Sequence, residues 1–352
     1  MPNEISQSSH AASALSVGPG REGDGPIPPS TSPPPGRWGV ILAGGDGTRL
    51  QPLTRLISGD DRPKQFCPIV SRDTLLEQTR RRARRTIPDH HLLFYLSRHH
   101  EPFYRQEARL RPSQRVVQPS NKGTAPPILH SLLSIARLDR NALVAILPCD
   151  HHYADDNAFI TALESAFEVA ERRRDAIVLL GAHPQGPEVE YGWIELAAGD
   201  DLAKPLLVKR FLEKPSPQVA CQLMNHGALW NTFVMVGHVG AFLEMIGAAL
   251  PELMEMFPAG TLWTGSELHI PEFLYQRLNA TDFSRCVLSP AARNSRLIAL
   301  PLRHAGWSDL GHPDRVLAVL EARGLTPWWK EKWEASRRQP KALAALAGAS
   351  TV

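Results

Sequence analysis

The sequence is poor in cysteine. Cys67, Cys149, Cys221 and Cys286 are its four, and they lie far apart. No CxxC pair and no cysteine/histidine spacing marks a zinc ligand set, and sparse cysteine fits a reducing, cytoplasmic compartment. Aromatics are few, at 7% of the 352 residues. No apolar run approaches the ~20 residues that a membrane span needs, and no signal-peptide apolar block follows the amino terminus. A large excess of either charge sign is also missing. The net charge is +3, so nothing demands nucleic acid or a charged membrane surface as a partner. Two familiar phosphate loops are absent too. The glycine-rich stretch matches neither GxxxxGK[ST] nor GxGxxG with a following ribose acid.

What is present is an ordinary globular composition, 43% hydrophobic and 21% charged. Residues 1–36 differ, with eight prolines among serines and glycines and no apolar block. They read as a disordered tail. The Ala-rich end reads as a terminal helix or tail, so the expected divisions are 1–36, a catalytic domain over 37–320, and 321–352.

The chain is organised around Gly39–Leu50. An apolar strand, Val40 to Leu42, runs into Gly44, Gly45 and Gly47, then Thr48 and Arg49. Glycines let the backbone turn tightly and bring N–H groups close to an anion. Arg49 adds a fork of donors suited to phosphate. Next come Pro52 and Pro63, which predict an extended loop returning Arg62 and Lys64 toward the glycines. Thr74 to Arg85 predicts a helix whose five arginines form a solvated face, without the interleaved aromatics of a nucleic-acid site. His99 and His100 follow a second strand and read as a pair of surface histidines in a polar turn.

A short strand ends at Gln118. Gly123 and Thr124 then open a helix to Leu138, with Thr124 as N-cap and an anion-friendly corner before it. The strand over 142–147 is apolar on both faces and ends in Pro148-Cys-Asp150. An acid at the carboxyl end of a parallel strand sits where open α/β sheets bind ligands, which makes Asp150 a candidate Mg²⁺ ligand. Alternating strands and helices predict a doubly wound, mostly parallel α/β sheet of the Rossmann-like kind. After Gly181 the pattern changes to strand, turn, strand. This predicts a mixed-sheet lobe containing Gly192, Glu213 and Lys214, followed by Asn231 and a Gly-flanked acid, Asp309.

These motifs occur in a recognisable order. Gly44-Gly-Asp-Gly-Thr-Arg-Leu50, Arg62-Pro-Lys-Gln-Phe66, Asn121-Lys-Gly-Thr-Ala-Pro126, Pro148-Cys-Asp-His151, Glu190-Tyr-Gly-Trp-Ile194, Phe211-Leu-Glu-Lys-Pro215, Trp230-Asn231 and Trp307-Ser-Asp-Leu-Gly311 closely resemble the sugar-1-phosphate nucleotidyltransferases. Within that group they look most like mannose-1-phosphate guanylyltransferases, over about residues 38–320. The resemblance implies the nucleotide-diphospho-sugar transferase fold and transfer of GMP from GTP to mannose 1-phosphate with Mg²⁺. Ala43, Gly44, Gly45, Gly47 and Thr48 would then cradle the triphosphate. Gln118, Gly123 and Thr124 would face guanosine. Arg49, Lys64 and Asp150 would be catalytic, with Asp150 and Asp309 on the metal. Gly192, Glu213, Lys214 and Asn231 would take the sugar phosphate.

The sequence departs from the family after Trp-Asn. The usual Ser-Gly-Met-Phe is here Thr232-Phe-Val-Met235, and the lost glycine leaves the hexose open. Another sugar or base on the same fold is the nearest alternative reading. An inert nucleotide-sugar-binding relative is the reading from another class, and the joint retention of Arg49, Lys64, Asp150, Lys214 and Asp309 speaks against it. No hexapeptide-repeat or cupin-like stretch follows the core, so fusion to an isomerase is not expected. Nothing in the sequence decides self-association.

Overall fold

The computed structural model describes residues 36–338, apart from 108, 198–204 and 295. The tail expected over 1–36 lies, but for Gly36, outside the described residues, as does the stretch after Arg338. Among the described residues, ten strands form one sheet. In chain order they are β1 (Arg37–Leu42), β2 (Leu92–Ser97), β3 (Arg115–Gln118), β4 (Leu143–Pro148), β6 (Ile177–Ala182), β7 (Gly192–Leu196), β8 (Leu206–Glu213), β9 (Leu229–His238), β10 (Leu268–His269) and β11 (Leu297–Leu302). Two short strands, β5 (His152–Tyr153) and β12 (Trp307–Ser308), pair separately.

The spatial order is β10-β3-β2-β1-β4-β9-β6-β11-β8-β7. The first five strands are mutually parallel, and so are β6 and β11. β9 runs antiparallel between β4 and β6, β7 and β8 pair antiparallel, and β7 also pairs antiparallel with the start of β9. The expected mixed region is therefore the continuation of the same sheet.

Strand periodicity explains the burial. In β4, Val144 and Ile146 enter the core on one face of the sheet, while Leu143, Ala145 and Leu147 enter the core on the other. β6 repeats this with Ile177 and Leu179 against Val178 and Leu180. Each fully buried aliphatic side chain contributes about 1.5–3 kcal/mol relative to exposure. Helices cover both faces. Ala125–Leu138 and Val239–Ala249 share one core, and Leu75–Ala83 and Asp156–Arg172 share the other.

A third core gathers Leu50, Leu53, Cys67 and Leu75 with Leu310, Val316, Leu320, Trp329 and Trp333. It fixes the chain after the glycine loop against the chain after Asp309.

Three expectations are corrected here. Pro52 does not prevent a helix. It occupies the first turn of Gln51–Ser58, where its missing N–H costs little. The arginines of the second helix are not all solvated. Arg80 and Arg82 are buried, Arg80 on Asp89 at 2.8 Å and Arg82 on the His151 carbonyl at 3.2 Å and over the Tyr153 ring. Thr124 precedes its helix without capping it, and its hydroxyl instead accepts from the Phe283 N–H at 2.8 Å.

Candidate active site

The parallel strands β1, β2, β3 and β4 all end at the same edge of the sheet. Their carboxyl ends bring the glycine loop, Ser97, Gln118 and Asp150 together, as open α/β sheets do. A cavity of about 400 Å³ opens there. Its lining includes Gly44, Gly45, Gln118, Gly123, Thr124 and Asp150, and also Gly192, Glu213, Asn231 and Asp309. The nucleotide-side and sugar-side residues read from sequence thus border one space.

The glycine loop is held by side chains. Gln65 Nε2 donates to the Ala43 carbonyl at 3.0 Å and the Gly45 carbonyl at 2.7 Å. Ser97 Oγ donates to the Gly44 carbonyl at 2.9 Å. Gly47 is left-handed at φ 60°. A Cβ on Gly44 would lie 2.5 Å from Gln118 Nε2, so the glycine admits that amide. Gln118 is itself fixed. Its Nε2 donates to Ser97 Oγ at 3.1 Å, and its Oε1 accepts from Tyr275 OH at 3.0 Å.

Lys64 connects the two acids. Its Nζ lies 3.1 Å from Asp150 Oδ2 and donates to the Asp309 carbonyl at 2.7 Å. Burial would raise the Asp150 carboxyl, but Lys64, aided by His151, holds it below the usual carboxylate range. Burial likewise opposes Asp309, and Lys64, Arg315 and His151 outweigh it. Both acids are ionised at neutral pH.

Their carboxylates differ in occupancy. Asp309 Oδ1 accepts from Tyr191 OH at 2.8 Å, from the Gly311 N–H at 3.0 Å and from Arg315 at 3.0 Å. Asp150 meets Lys64 and, at 3.8 Å, the His151 ring. A pair of hard carboxylates on one cavity fits Mg²⁺, and Asp150 has the more open oxygens.

On the sugar side, burial and then the neighbouring Asp282 push Glu213 up to about 7. A Cβ on Gly192 would lie 2.7 Å from Glu213 Oε2, so the glycine makes room for this carboxyl. Asn231 Oδ1 accepts from the Phe233 N–H at 3.1 Å. Phe233 lines the cavity and holds a left-handed φ of 59°.

Several expected residues stand outside the cavity lining. Ala43 is buried beneath the loop, its N–H donating to the Tyr95 carbonyl at 2.9 Å. Gly47 and Thr48 do not line it either, and Thr48 is exposed. Arg49 is half exposed and pairs with Glu190, which does line the cavity. Lys214 is exposed at φ 51°. Arg62, expected to return to the glycines, pairs with Asp60 at 2.7 Å.

Other residues that build and back the site were not singled out from the sequence. Tyr191 and Trp307 line the cavity, tilted against each other at 5.2 Å, and Trp230 behind them meets Tyr191 edge to face at 5.0 Å. Arg315 lies 4.5 Å over the Tyr191 ring and pairs with Glu188 at 2.6 Å. Tyr191, Trp307 and Gln65 stand inside recognised motifs, so a signal existed for them. Tyr275, Asp282 and Ser284 had none. His100 was read as a surface residue, yet it is buried, packed edge-on against Phe66.

The sequence model of one family, described as nucleotidyl transferase, matches residues 38–323. The chain belongs to that nucleotidyl transferase family. XanB, a xanthan biosynthesis protein of Xanthomonas campestris, is 28% identical over 297 residues, covering 81% of this chain and 60% of that protein. An Escherichia coli protein named mannose-1-phosphate guanylyltransferase is 26% identical over 280 residues, covering 77% of this chain and 57% of that protein. The chain thus spans less than two thirds of the length of these relatives. A solved Thermus thermophilus structure, described as a mannose-1-phosphate geranyltransferase, superposes with a TM-score of 0.66 at 29% identity, covering 78% of this chain and 76% of that one. The fold is that of the nucleotide-diphospho-sugar transferases. Among the described residues, no helix is long and apolar enough to cross a membrane.

Proposed function

We propose that this chain transfers GMP from GTP to α-D-mannose 1-phosphate, releasing pyrophosphate and GDP-mannose. One observation carries the reading. A single cavity is lined at one end by the glycine loop and Gln118 and at the other by Gly192, Glu213 and Asn231, with Asp150 and Asp309 also on its wall. The Escherichia coli relative's name supports the choice of substrates.

In this reaction an ionised oxygen of the sugar phosphate forms a bond to the α-phosphorus of GTP. The bond from that phosphorus to the pyrophosphate oxygen breaks, and the leaving group takes the electron pair. The nucleophile is already an anion, so no general base is needed. The chain has to hold two anions in line and offset their charge. Backbone N–H groups of the glycine loop would bind the triphosphate, with Arg49 on the departing pyrophosphate. Lys64 would face the attacked phosphate, and Lys214 the phosphate of the sugar. Asp150, with Asp309, would hold Mg²⁺, which supplies charge neutralisation to phosphate oxygens when bound.

The catalytic part is assigned to residues 37–320. Its partners are then small molecules, without nucleic acid or membrane, and the compartment is cytoplasmic. Phe233 on the cavity wall favours one second reading, the same chemistry on a different hexose 1-phosphate.

Pyrophosphate release across a grid of nucleoside triphosphates and hexose 1-phosphates, with Mg²⁺, tests the proposal. Release only with GTP and mannose 1-phosphate is expected. Strong release with another pair would replace the substrates and keep the chemistry. Silence throughout, with nucleotide still bound, would leave a binding protein.

A further inference from the structure

The neighbouring strands β1 and β2 run parallel with Leu42 beside Tyr95, so the loops that follow them meet. Asp46 of the glycine loop faces His99 and His100 of the turn after β2. His99 Nε2 lies 2.8 Å from Asp46 Oδ1, and His100 Nε2 lies 3.5 Å from the same oxygen. The two imidazole centroids are 3.9 Å apart. One ligating atom from each of the three residues falls within 4.8 Å of the others, and among the described residues no other group of three does so.

Two further facts preorganise the cluster. His100 is only 3% exposed, so the ring that turns Nε2 toward Asp46 is held in place by its packing. Asp46 Oδ2 is steadied from the third strand's loop by Asn121 Nδ2 at 3.3 Å. A buried imidazole aimed at a carboxylate, with a second imidazole beside it, is a preassembled donor set.

We propose that Asp46, His99 and His100 bind a divalent transition-metal ion of the zinc class. Two imidazoles and one carboxylate suit Zn²⁺ or Co²⁺, and imidazole is a poor ligand for Mg²⁺. Metal–ligand bonds of about 2.0–2.2 Å set tetrahedral ligand separations of ~3.4 Å. The observed 2.8 and 3.5 Å bracket that separation. Three protein ligands leave the fourth position to water or to an incoming anion. The ion would tie the glycine loop to the turn after β2 at the rim of the cavity. It shares no ligand with Asp150 or Asp309, and it stands or falls independently of the proposed reaction.

The test is binding of the metal alone to the tag-free full chain after chelator treatment. Calorimetry with Zn²⁺ and visible absorption with Co²⁺ are the readouts. One tight equivalent per chain is expected, with a tetrahedral Co²⁺ spectrum. Asp46→Ala and His99→Ala should each weaken Zn²⁺ by about 10-fold or more. Asp150→Asn should bind Zn²⁺ as the unaltered chain does. His99 is 52% exposed, so its replacement leaves the fold intact, which circular dichroism of the same samples checks. His99→Gln keeps a polar group facing Asp46 and should still lose the metal. The proposal is overturned if the unaltered chain takes up no stoichiometric metal, if His99→Ala or His99→Gln binds as tightly, or if Asp150→Asn abolishes binding.

Discussion

Lys64 Nζ lies 3.1 Å from Asp150 Oδ2, and the Lys64 side chain is 10% exposed while that of Asp150 is 32% exposed. The lysine therefore offsets the upward push that burial alone would give this carboxyl. Lys64→Met should strand that carboxylate and destabilise the chain by about 2 kcal/mol, since a partly buried charge left unpaired bears its desolvation cost. Lys64→Met with Asp150→Asn should cost less than the sum of the two, with a coupling of roughly 1 kcal/mol. Urea unfolding of the four proteins measures the cycle. Strict additivity would show that the pair contributes nothing.

Glu213 gives a pH signature. Its carboxyl is raised to about 7 by burial and by Asp282. In the unfolded chain a glutamate ionises at ~4.3, so between that value and about 7 the folded state holds a proton that the unfolded state has lost. Stability contributed by the neutral carboxyl is present at acid pH and falls as pH rises through this window. Glu213→Gln removes the titration. Its melting temperature relative to the unaltered chain should climb across the window and level off above it. A constant difference from acid to neutral pH would show that Glu213 titrates normally. If the carboxylate accepts sugar hydroxyls, kcat/KM should also rise through the same window in the unaltered chain alone.

Gly123 is fixed by its surroundings. Its φ is 81°, and an added Cβ would lie 2.4 Å from the Thr281 carbonyl oxygen. That carbonyl already accepts from the Ala125 N–H at 3.0 Å, and the Thr281 N–H donates to the Lys122 carbonyl at 2.9 Å. Neither backbone can withdraw without breaking a bond. Gly123→Ala should cost about 2 kcal/mol or more and weaken nucleotide binding together with stability. Thermal unfolding and nucleotide calorimetry on one preparation test the linkage. Loss of stability with unchanged nucleotide affinity would separate this corner from the nucleotide.

Much of this was legible in the chain because buried parallel strands are short and nearly all apolar. β1, β2, β4, β6 and β11 announce themselves that way. The central antiparallel place of β9 did not, since Leu229–His238 is equally apolar beside any neighbour. Arg80 and Arg82 looked solvated because five arginines in one helix read as a charged face. Their partners Asp89 and the His151 carbonyl become neighbours only when the chain folds. The burial of His100 has the same origin, a contact with Phe66 from a distant loop. Site residues inside glycine-bearing motifs could be found from local chemistry. Other parts of the site, the wall residues Asp282 and Ser284 and the Tyr275 hydroxyl behind Gln118, arrive from segments without any such pattern.

Phe233 carries the last prediction. It lines the cavity next to Asn231 and keeps φ at 59°, a conformation that costs an L-residue roughly 1–2 kcal/mol and costs glycine almost nothing. The surroundings hold it there. Its N–H donates to Asn231 Oδ1 at 3.1 Å, and its ring lies 6.5 Å from Phe283, near edge-on. Comparing two truncations isolates the strain. Phe233→Ala and Phe233→Gly both lose the ring, but only alanine retains the left-handed penalty. The glycine variant loses more chain entropy on folding, which reduces the gap by about 0.5–1 kcal/mol. It should therefore be the more stable of the two by a few tenths to ~1 kcal/mol. The same pair should widen the cavity on its sugar side, so both should turn over bulkier hexose 1-phosphates better relative to mannose 1-phosphate. If alanine proves more stable than glycine, the left-handed backbone is not strained. If neither variant changes the ranking of sugars, Phe233 does not shape the hexose site.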